Sequence, residues 1–552
     1  MSNLPFMLRN CLNILLLILI PVMVLPQTAQ PVRFEAPTRS GTDPFNHVAC
    51  GDQGVCLFYP TIEESGKDSV SWSFYLLDRN FQKIWQQRIP LREDVSFLKS
   101  IYRNNCLYLL FHDTKRNDKG NISVFFFIPS KQILTEHHSD IPYKADIVDF
   151  EVLNDLIFIG YNEKKSKPGL IAFSLIDGQK RNFEISAEDD ALLLDVAVDS
   201  IYKGVYATYK VQKTATRNNL YINKYDLSSA LRSTTTFEGE VEKRIINSAE
   251  YIPLSDTQGL VAGCYGYSNR GRRTYDYYND YYNYYYYNSL YNRPYTYDAN
   301  KDNTPVSDGY FSSLVGGSSP PALKYYNFVD FNNALKITSD MDILRLRRRN
   351  EKKEKTGLTG EDNTVDDDNN SLNYRILMHS IIASDGKFLL LGETYYPEYH
   401  TMTQMVYDYY GRAFPSTYSV FDGFRYCNAF LAAFDSSGVK VWDNGMEMRD
   451  ILTTYLNHKM NYIFDGDEMT LFYNANGKLA VKTIKGPETV EHTEYVTIAP
   501  KRQTDEVTSE YLGTMEHWYG KYFLASGYET IRNNFLTENK RNVFYLNKMA
   551  FE

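Results

Sequence analysis

The chain of 552 residues carries a formal net charge of −9 and has a pI near 5.6. Phosphate binding requires a basic surface, so this charge argues against nucleic acid as a partner. Aromatic residues make up 15% of the sequence, and Tyr and Phe favour the half-buried faces of β-sheets. The length is compatible with several average domains or with one large closed β architecture.

The N-terminal segment, residues 1–29, is typical of a secretory signal peptide. Arg9 supplies positive charge, residues 12–25 form an apolar core that Pro21 interrupts, and small or polar residues follow. This core is shorter than the roughly 20 residues needed to cross a bilayer. We therefore predict a cleaved signal and an exported protein; an uncleaved membrane anchor is the alternative.

Five of the six cysteines follow that segment, and two of the five lie close together in sequence. Cys50 and Cys56 flank the turn-rich residues 51–54 and could face each other across a hairpin. A disulfide would persist in an oxidising compartment, which is one interpretation, and two buried free thiols are the other. The cysteine and histidine spacings match no zinc pattern, so we predict no metal and no cofactor.

Strand-like runs alternate with turn signals from about residue 44 to the C-terminus, and helical periodicity is almost absent. The runs group into seven or eight units of about four strands each, the size of a propeller blade. The sequence therefore predicts an all-β fold in which residues 30–552 form a single large β-propeller of seven or eight blades. Residues 32–35 are expected to complete the last blade. A set of two or three β-sandwich domains is the alternative, since it also has evenly spaced short strands.

A short pattern occurs near both ends of this region and supports a repeat architecture. An apolar strand runs into Asp78, turns, and leaves through a Lys-Ile-Trp sequence that ends at Trp85. The second copy has Asp435 before the turn, Gly438 within it and Trp442 after it. We interpret these five residues as a structural repeat that serves packing. Weaker copies of the strand–Asp–turn half contain Asp177, Asp226 and Asp330.

This pattern resembles the tryptophan-docking repeat of quinoprotein-like propellers more closely than the Asp box of sialidases. The resemblance implies that the Trp wedges between blades. The turn is one residue shorter here, and only Trp85 and Trp442 keep the ring. That departure argues against a quinone cofactor.

Three inserts interrupt the strand pattern. Residues 270–300 are a Tyr/Asn-rich tract, and residues 345–372 run from basic to acidic; we predict that both are disordered loops. For the first, a stacking surface for an extended chain or a glycan is the alternative. Residues 395–426 are rich in Tyr, Met and Phe, and we expect them to form an ordered loop on one rim. The residues predicted to bind a partner there are Tyr395, Tyr396, Tyr399, Tyr407, Tyr409, Tyr410 and Phe414.

Catalytic signatures are missing from the sequence. It contains no P-loop, no G-x-S-x-G elbow, no H-E-x-x-H and no dinucleotide fingerprint. We therefore predict no catalytic residues and a protein that is not an enzyme. Because Asp and Glu are numerous, the sequence does not exclude a catalytic pair of carboxylates of the glycosidase type. The acidic residues 465–468 are interpreted as a hairpin turn.

Several motifs in the C-terminal third carry a family resemblance. They are Glu-Thr-Tyr-Tyr-Pro-Glu-Tyr at 393–399, Val-Phe-Asp-Gly-Phe-Arg-Tyr at 420–426, Phe-Asp and Val-Trp-Asp-Asn within 434–444, Trp-Tyr-Gly-Lys-Tyr-Phe at 518–523 and Val-Phe-Tyr-Leu-Asn-Lys-Met at 543–549. With these motifs, residues 374–552 resemble a family of exported β-propeller proteins from Bacteroidota. We place in the same group the plug subunit of the type IX secretion translocon, which closes the periplasmic mouth of a large outer-membrane barrel. No catalytic residue is carried over from this resemblance.

Residues and resemblance together predict a non-enzymatic, periplasmic propeller associated with the outer membrane. Its partner is expected to be an outer-membrane protein or a secretion or assembly complex, with no nucleic acid and no membrane span after signal cleavage. The resemblance implies the plug role at the type IX secretion translocon. A glycan-binding or glycan-cleaving propeller is the alternative function, and a redox quinoprotein is a third.

Overall fold

The computed structural model describes most of the chain after the predicted signal segment. The described residues are 32–38, 45–64, 69–113, 119–142, 145–163, 167–187, 190–214, 217–237, 244–267, 306–316, 321–337, 374–407, 410–454, 456–475, 477–533 and 539–550. The predicted signal peptide and the two predicted disordered inserts, 270–300 and 345–372, lie outside them.

The described residues form eight antiparallel sheets, each built around a four-stranded meander. The prediction of an all-β propeller is confirmed, and the number of blades is eight. The first strand, β1 (Arg33–Pro37), belongs to the last blade. Blade 1 contains β2 (Asn46–Ala49), β3 (Val55–Glu64), β4 (Ser69–Leu77) and β5 (Lys83–Arg92). Blade 2 contains β6 (Val95–Arg103), β7 (Cys106–Asp113), β8 (Lys119–Ile128) and β9 (Ile133–Pro142).

The middle of the chain builds three further blades. Blade 3 contains β10 (Asp146–Leu153), β11 (Leu156–Glu163), β12 (Lys167–Ser174) and β13 (Lys180–Phe183). Blade 4 contains β14 (Ala191–Val198), β15 (Gly204–Thr214), β16 (Arg217–Asp226) and β17 (Leu231–Phe237). Blade 5 contains β18 (Arg244–Pro253), β19 (Gly259–Tyr267), β20 (Gly309–Val315) and β21 (Lys324–Asn327).

The C-terminal blades include the longest strands. Blade 6 contains β22 (Arg375–Met378), β24 (Lys387–Tyr407), β25 (Ala413–Phe434) and β26 (Lys440–Glu447), with β23 (Ile382–Ser384) and β27 (Leu452–Thr453) added. Blade 7 contains β28 (Asn461–Asp465), β29 (Glu468–Ala475), β30 (Lys478–Lys485) and β31 (Glu488–Thr497). Blade 8 contains β32 (Glu506–Tyr519), β33 (Tyr522–Arg532), β34 (Lys540–Ala550) and β1. Short 3₁₀ turns lie at Gly51–Gln53, Pro129–Lys131, Phe328–Asp330 and Ala334–Ile337.

The blades close into a ring, which rules out the alternative of separate sandwiches. Buried apolar side chains from each blade pack against those of the next, in eight inter-blade clusters that include one between blade 8 and blade 1. In that last cluster, Leu57 of blade 1 and Leu524 of blade 8 are both almost fully buried. The first strands of the blades lie innermost, since β2, β6, β10, β14 and β18 are successive neighbours, as are β28, β32 and β2.

Stacking of blades on both faces explains the strand sequences. β7 is buried at nearly every position and is a continuous apolar run, because neighbouring blades cover both of its faces. The outermost β31 is exposed at most positions and carries charged and polar residues. Burial therefore falls from the middle strands of a blade to its outer edge.

The N-terminal strand completes the ring, as predicted. β1 pairs antiparallel with β34, and Arg33 lies opposite Asn547. Blade 8 thus takes one strand from the start of the described chain and three from its end. Covering the open edge of β34 in this way removes a free strand edge from the sheet.

Candidate functional site

The repeated Asp residues lie in equivalent turns, between the third and fourth strands of their blades. One carboxylate oxygen of Asp78 accepts hydrogen bonds from the backbone N–H groups of Asn80 (2.8 Å) and Gln82 (2.7 Å). Asp435 binds Ser437 and Val439 in the same way, both at 2.9 Å. The third residue after each Asp, Phe81 or Gly438, has a positive φ, which a turn of this type requires.

The weaker copies of the Asp turn divide into two groups. Asp177 and Asp226 occupy the same kind of turn in blades 3 and 4, and Asp226 binds Ser228 and Ala230 as Asp78 binds its partners. The interpretation of Asp330 was wrong, because that residue lies in a 3₁₀ turn after the fourth strand of blade 5.

The two repeat Trp residues pack between blades. Trp85 stacks on Phe127 of blade 2, with ring centroids 4.6 Å apart. Trp442 of blade 6 packs against the cluster shared with blade 7 and lies next to Gly486. The two repeat Trp residues therefore make packing contacts between blades.

Blade 6 extends far beyond its neighbours on one side. β22 pairs with β24 only as far as Tyr395, and β26 and β27 pair with β25 only from Phe424 onward. Beyond these points residues 399–407 and 413–421 pair with each other alone among the described residues. We call this two-stranded segment the ribbon. At about 3.3 Å per residue it reaches about 30 Å from the blade.

The ribbon is partly apolar on its surface and, apart from His400, which pairs with Asp422 at the base (2.5 Å), has no Asp, Glu, Lys, Arg or His. Residues 401–407 and 413–421 contain no Asp, Glu, Lys, Arg or His. Met405 is 58% exposed and Met402 is 45% exposed. At the base, Arg425 forms an ion pair with Glu398, and the rings of Tyr399 and Phe421 lie 5.6 Å apart. Two-stranded sheets are marginally stable on their own, so these base contacts are expected to hold the ribbon in place.

The structure places the predicted partner-binding residues in three different settings. Tyr395 is 1% exposed and packs in the core between blades 6 and 7, so its selection as a surface contact was wrong. Tyr396 and Tyr410 are 42% and 80% exposed. Tyr399 lies at the base of the ribbon. Tyr407 and Phe414 lie within its strands, and neither their side chains nor Tyr409 belong to the described part.

The structure also corrects the expected form of the third insert. Residues 395–426 form paired strands over most of their length instead of a loop. Their alternating Thr, Met, Tyr and Val residues have high strand propensity, and the two halves match in register.

All three inserts attach to the same rim. In an antiparallel meander, the turns between second and third strands share an edge with the connections between blades. The chain leaves the described residues after Tyr267, between the second and third strands of blade 5, and the ribbon extends from the equivalent point of blade 6. The charged insert lies in the connection between these two blades.

Acidic residues near the axis tie successive blades together. Asp195 on β14 accepts a hydrogen bond from the backbone N–H of Tyr251 on β18 (3.1 Å). Bonds of the same kind run from Val196 to Asp149 (3.3 Å), from Ile381 to Glu250 (2.9 Å) and from Met460 to Glu393 (2.9 Å).

A β-bulge orients two of these carboxylates. The pairing register shifts directly before Asp149 in β10 and directly before Asp195 in β14. The first strands of blades 2 and 5 shift at the corresponding points, before Lys99 and Ser248. Bulges of this kind redirect side chains, here toward the space between the inner strands.

A polar cavity of about 210 Å³ lies beside these inner strands. Residues of blades 3 to 6 line it, among them Asp149, Asp195, Glu250, Ser248 and His379. Burial raises the pKa of Glu250 to about 7, and burial together with Glu250 raises the pKa of Asp195 well above its ordinary value. Lys99 forms an ion pair with Asp149 (2.5 Å) at this site.

A buried carboxylate orients the histidine of this cavity. His379 Nε2 lies 2.6 Å from Glu393 Oε1, and Glu393 also accepts the backbone N–H of Lys459 (2.9 Å). Burial alone would raise the pKa of Glu393, but His379 and the backbone donors hold it below its ordinary value. A carboxylate-oriented histidine can transfer protons, and the same contact also serves packing.

The cavity was not predicted from the sequence, although the inner strands contain a signal for it. Asp149, Asp195 and Glu250 each follow an apolar residue inside the first strand of a blade, and Asp195 is the one polar residue of β14. An acid in a buried strand requires a partner or a functional reason. Its recurrence in three successive blades was the available clue.

The five cysteines within the described residues are free thiols. The register of β2 and β3 sets Val48 opposite Cys56, so Cys50 does not face it, and of the two interpretations the structure has the pair of buried free thiols. Burial raises the pKa of Cys50 to about 12. Among the described side chains, no group of three or more His, Cys, Asp or Glu residues is arranged to hold a metal ion.

No protein-family model matches the chain, and no curated protein matches it. Solved structures are similar at a distance. Polysaccharide lyase Uly1 is 10% identical with a TM-score of 0.37, covering 82% of this chain and 89% of the lyase. A prolyl endopeptidase is 7% identical with a TM-score of 0.35, covering 83% of this chain and 50% of the peptidase. The β-propeller domain of the Trilobed protease from Pyrococcus furiosus is 6% identical with a TM-score of 0.31, and the match covers 83% of this chain and 98% of that domain. Similarities this distant carry no argument about activity.

Within the described residues, no helix is long and apolar enough to cross a membrane.

Proposed function

We propose that this chain is a non-enzymatic, exported β-propeller that binds an outer-membrane protein or a secretion or assembly complex through the ribbon of blade 6. The observation that carries the proposal is the ribbon itself. It extends about 30 Å beyond the blade, carries no Asp, Glu, Lys, Arg or His apart from His400 at its base, and exposes Met402 and Met405. Exposed Met and aromatic side chains on an uncharged surface are typical of protein interfaces.

The proposals that the protein is exported and that its partner lies in the outer membrane are based on the sequence. The predicted signal segment supports passage across the inner membrane, and the family resemblance of residues 374–552 supports the periplasm and the outer membrane. On the same ground, the type IX secretion translocon is the partner to test first, with this chain as the plug at its periplasmic end.

The test is a pull-down from detergent-solubilised outer membranes with a ribbon-shortened variant. Replacing residues 401–419 by Asn-Gly keeps the pair His400–Val420 and closes the hairpin with a two-residue turn. We expect the variant to fold with an unchanged thermal midpoint and to lose the partner. The matched control is Ile176→Lys, which changes a 78% exposed apolar residue on the opposite rim and should leave co-purification intact. Co-purification that survives ribbon removal would refute the proposal.

A glycan-binding or glycan-cleaving propeller is the second function, and the axial cavity is the observation that favours it. The cavity holds several carboxylates and His379, and groups of this kind bind sugar hydroxyls or transfer protons. Native gels with a panel of neutral and charged polysaccharides test it. Retardation that Glu250→Gln or His379→Ala abolishes would support this function over the first, whereas mobility unchanged by every polysaccharide would remove it.

A further inference from the structure

The ribbon has two edges, and the pairing of its strands sets which backbone groups face each edge. In an antiparallel pair, the N–H and C=O groups of every second residue point to the partner strand, and those of the residues between point away from it. Residues two apart on one strand therefore face the same edge. An edge that faces no neighbouring strand is a template for pairing with a strand of another protein.

A hydrogen bond in the blade identifies the outward residues of β24. The backbone N–H of His379, which follows β22, donates to the carbonyl oxygen of Leu391 (2.9 Å). Leu391 thus faces the edge on which β22 lies, and the alternation assigns the other odd-numbered residues of β24 to that edge. The two register shifts beyond this point add residues to β25 and not to β24, so the alternation along β24 is unbroken.

Pro397 explains where β22 stops. β22 pairs with β24 as far as Tyr395, and Pro397 is the next residue that faces the same edge. Proline has no N–H, so the edge has no donor for a neighbouring strand at that position. The pairing of the blade therefore ends at the base of the ribbon.

Beyond Pro397 the edge of β24 carries backbone donors again. By the same alternation, Thr401 and Met405 face outward. Residues 401–407 contain no Pro and no Asp, Glu, Lys, Arg or His. Proteins usually protect an edge strand with such residues, and none of the described strands other than β25 pairs with residues 399–407.

The other edge of the ribbon is interrupted. Pro415 on β25 lies opposite Met405. Because the backbone groups of Met405 point away from β25, the nitrogen of Pro415 points away from β24, which is the position that proline accepts in a strand. A strand arriving at β25 would lose one hydrogen bond in the middle of residues 413–421 and meet the pyrrolidine ring. The ribbon is thus built to extend on the β24 side.

We propose that the partner binds by β-strand addition: an extended, uncharged segment of the partner pairs with the outward edge of β24 at residues 399–407. This inference rests on the proposed function and names the part of the ribbon that makes the contact. Main-chain hydrogen bonds hold an added strand, and its side chains lie over the two faces of the ribbon. The segment is uncharged because residues 401–407 and 413–421 offer no counter-charge to an ionised side chain.

Strand addition also accounts for a ribbon that is only two strands wide. A two-stranded sheet is marginally stable in water, and a third strand supplies a second ladder of hydrogen bonds. The added strand lies on the side of β24 that β22 occupies within the blade, so it continues the sheet of blade 6 past Pro397.

Proline substitution at one edge at a time tests the inference in the pull-down from detergent-solubilised outer membranes. Thr401→Pro removes an outward N–H from β24, and Ser419→Pro removes one from β25 at the position directly opposite. Neither N–H belongs to the ladder between the two strands, so both variants should keep the thermal midpoint of the wild type. We expect Thr401→Pro to weaken capture of the partner by about tenfold or more, and Ser419→Pro to leave it unchanged. Thr401→Ala keeps the N–H and should also leave capture unchanged.

The ribbon-shortened variant distinguishes failure of this inference from failure of the proposed function. Loss of the partner in that variant but not in Thr401→Pro would overturn strand addition and leave the proposed function standing. Equal losses in Thr401→Pro and Ser419→Pro, or in Thr401→Pro and Thr401→Ala, would overturn strand addition as well. A partner that survives ribbon removal would refute both.

Gel filtration of the purified chain tests a second copy as the occupant of this edge. We expect the wild type and Thr401→Pro to elute alike as monomers. A wild-type dimer that Thr401→Pro converts into a monomer would overturn the proposal, because the edge of β24 would then pair with the same edge of another copy.

Discussion

The indole of Trp85 in blade 1 stacks on the ring of Phe127 in blade 2, with centroids 4.6 Å apart. The contact joins a residue of the Asp-turn-Trp repeat to the neighbouring blade. It shows how a local sequence pattern acts in the ring: the turn positions the fourth strand, and the Trp on that strand covers the next blade.

Removing the indole of Trp85 should destabilise the fold. We expect Trp85→Ala to lower the free energy of unfolding by about 3 kcal/mol, at the lower end for buried aromatics because Trp85 is partly exposed. Trp85→Phe should cost less, since stacking on Phe127 is kept. Urea titration measures both. Val441→Ala, at a position 51% exposed next to Trp442, is the control and should change little.

The hydrogen bond from the N–H of Tyr251 to Asp195, which joins blades 4 and 5, should depend on an acceptor oxygen and not on charge. Asp195→Asn keeps an oxygen for the N–H of Tyr251, and burial raises the pKa of Asp195 well above its ordinary value. Asp195→Ala leaves that N–H without this acceptor, at a cost of about 1–3 kcal/mol. In urea titrations at pH 7, the free energy of unfolding should be clearly lower for Asp195→Ala than for Asp195→Asn. Equal losses of stability in the two variants would show that the Asp195 oxygen does not stabilise the contact between these blades.

Two tyrosines of the same insert should behave in opposite ways. Tyr395→Ala removes a core ring and is expected to cost about 3–5 kcal/mol. Tyr410→Ala, at an 80% exposed position, should change stability by less than about 0.5 kcal/mol. Thermal unfolding distinguishes them. A stable Tyr395→Ala protein would restore that residue as a surface contact.

The axial carboxylate Glu250 should make the protein sensitive to pH. Its pKa is raised to about 7 by burial, so the folded protein binds a proton that the unfolded chain releases near its ordinary pKa of about 4.3. Stability from this group is therefore lost as the pH rises from about 4.3 to about 7. Glu250→Gln removes the ionisable group.

Paired urea titrations at pH 5 and pH 8 measure the effect. Glu250→Gln should gain stability relative to the wild type as the pH rises, because only the wild type acquires the buried charge. Replacement of the exposed Glu488 by Gln should show the same difference from the wild type at both pH values. A Glu250 difference that does not change with pH would place this carboxyl in contact with bulk water.

Much of the fold was predictable because its signals are local. An Asp that binds the N–H groups two and four residues ahead, as Asp78 and Asp435 do, needs only its own turn. Strand alternation and turn residues then mark the blades. Residues 32–35 were expected to complete the last blade, and β1 does pair with β34 there, which covers an open sheet edge.

The sequence by itself determined the all-β repeat and its Asp turns, since both depend on residues close together in the chain. Only the tertiary structure decided that eight blades close the ring, that Tyr395 is internal while Tyr410 is exposed, and that Asp149, Asp195 and Glu250 meet at one cavity. The reason is physical: which side of a strand is buried, and which side chains share a space, depends on the neighbouring blade, and that neighbour is brought there by the ring.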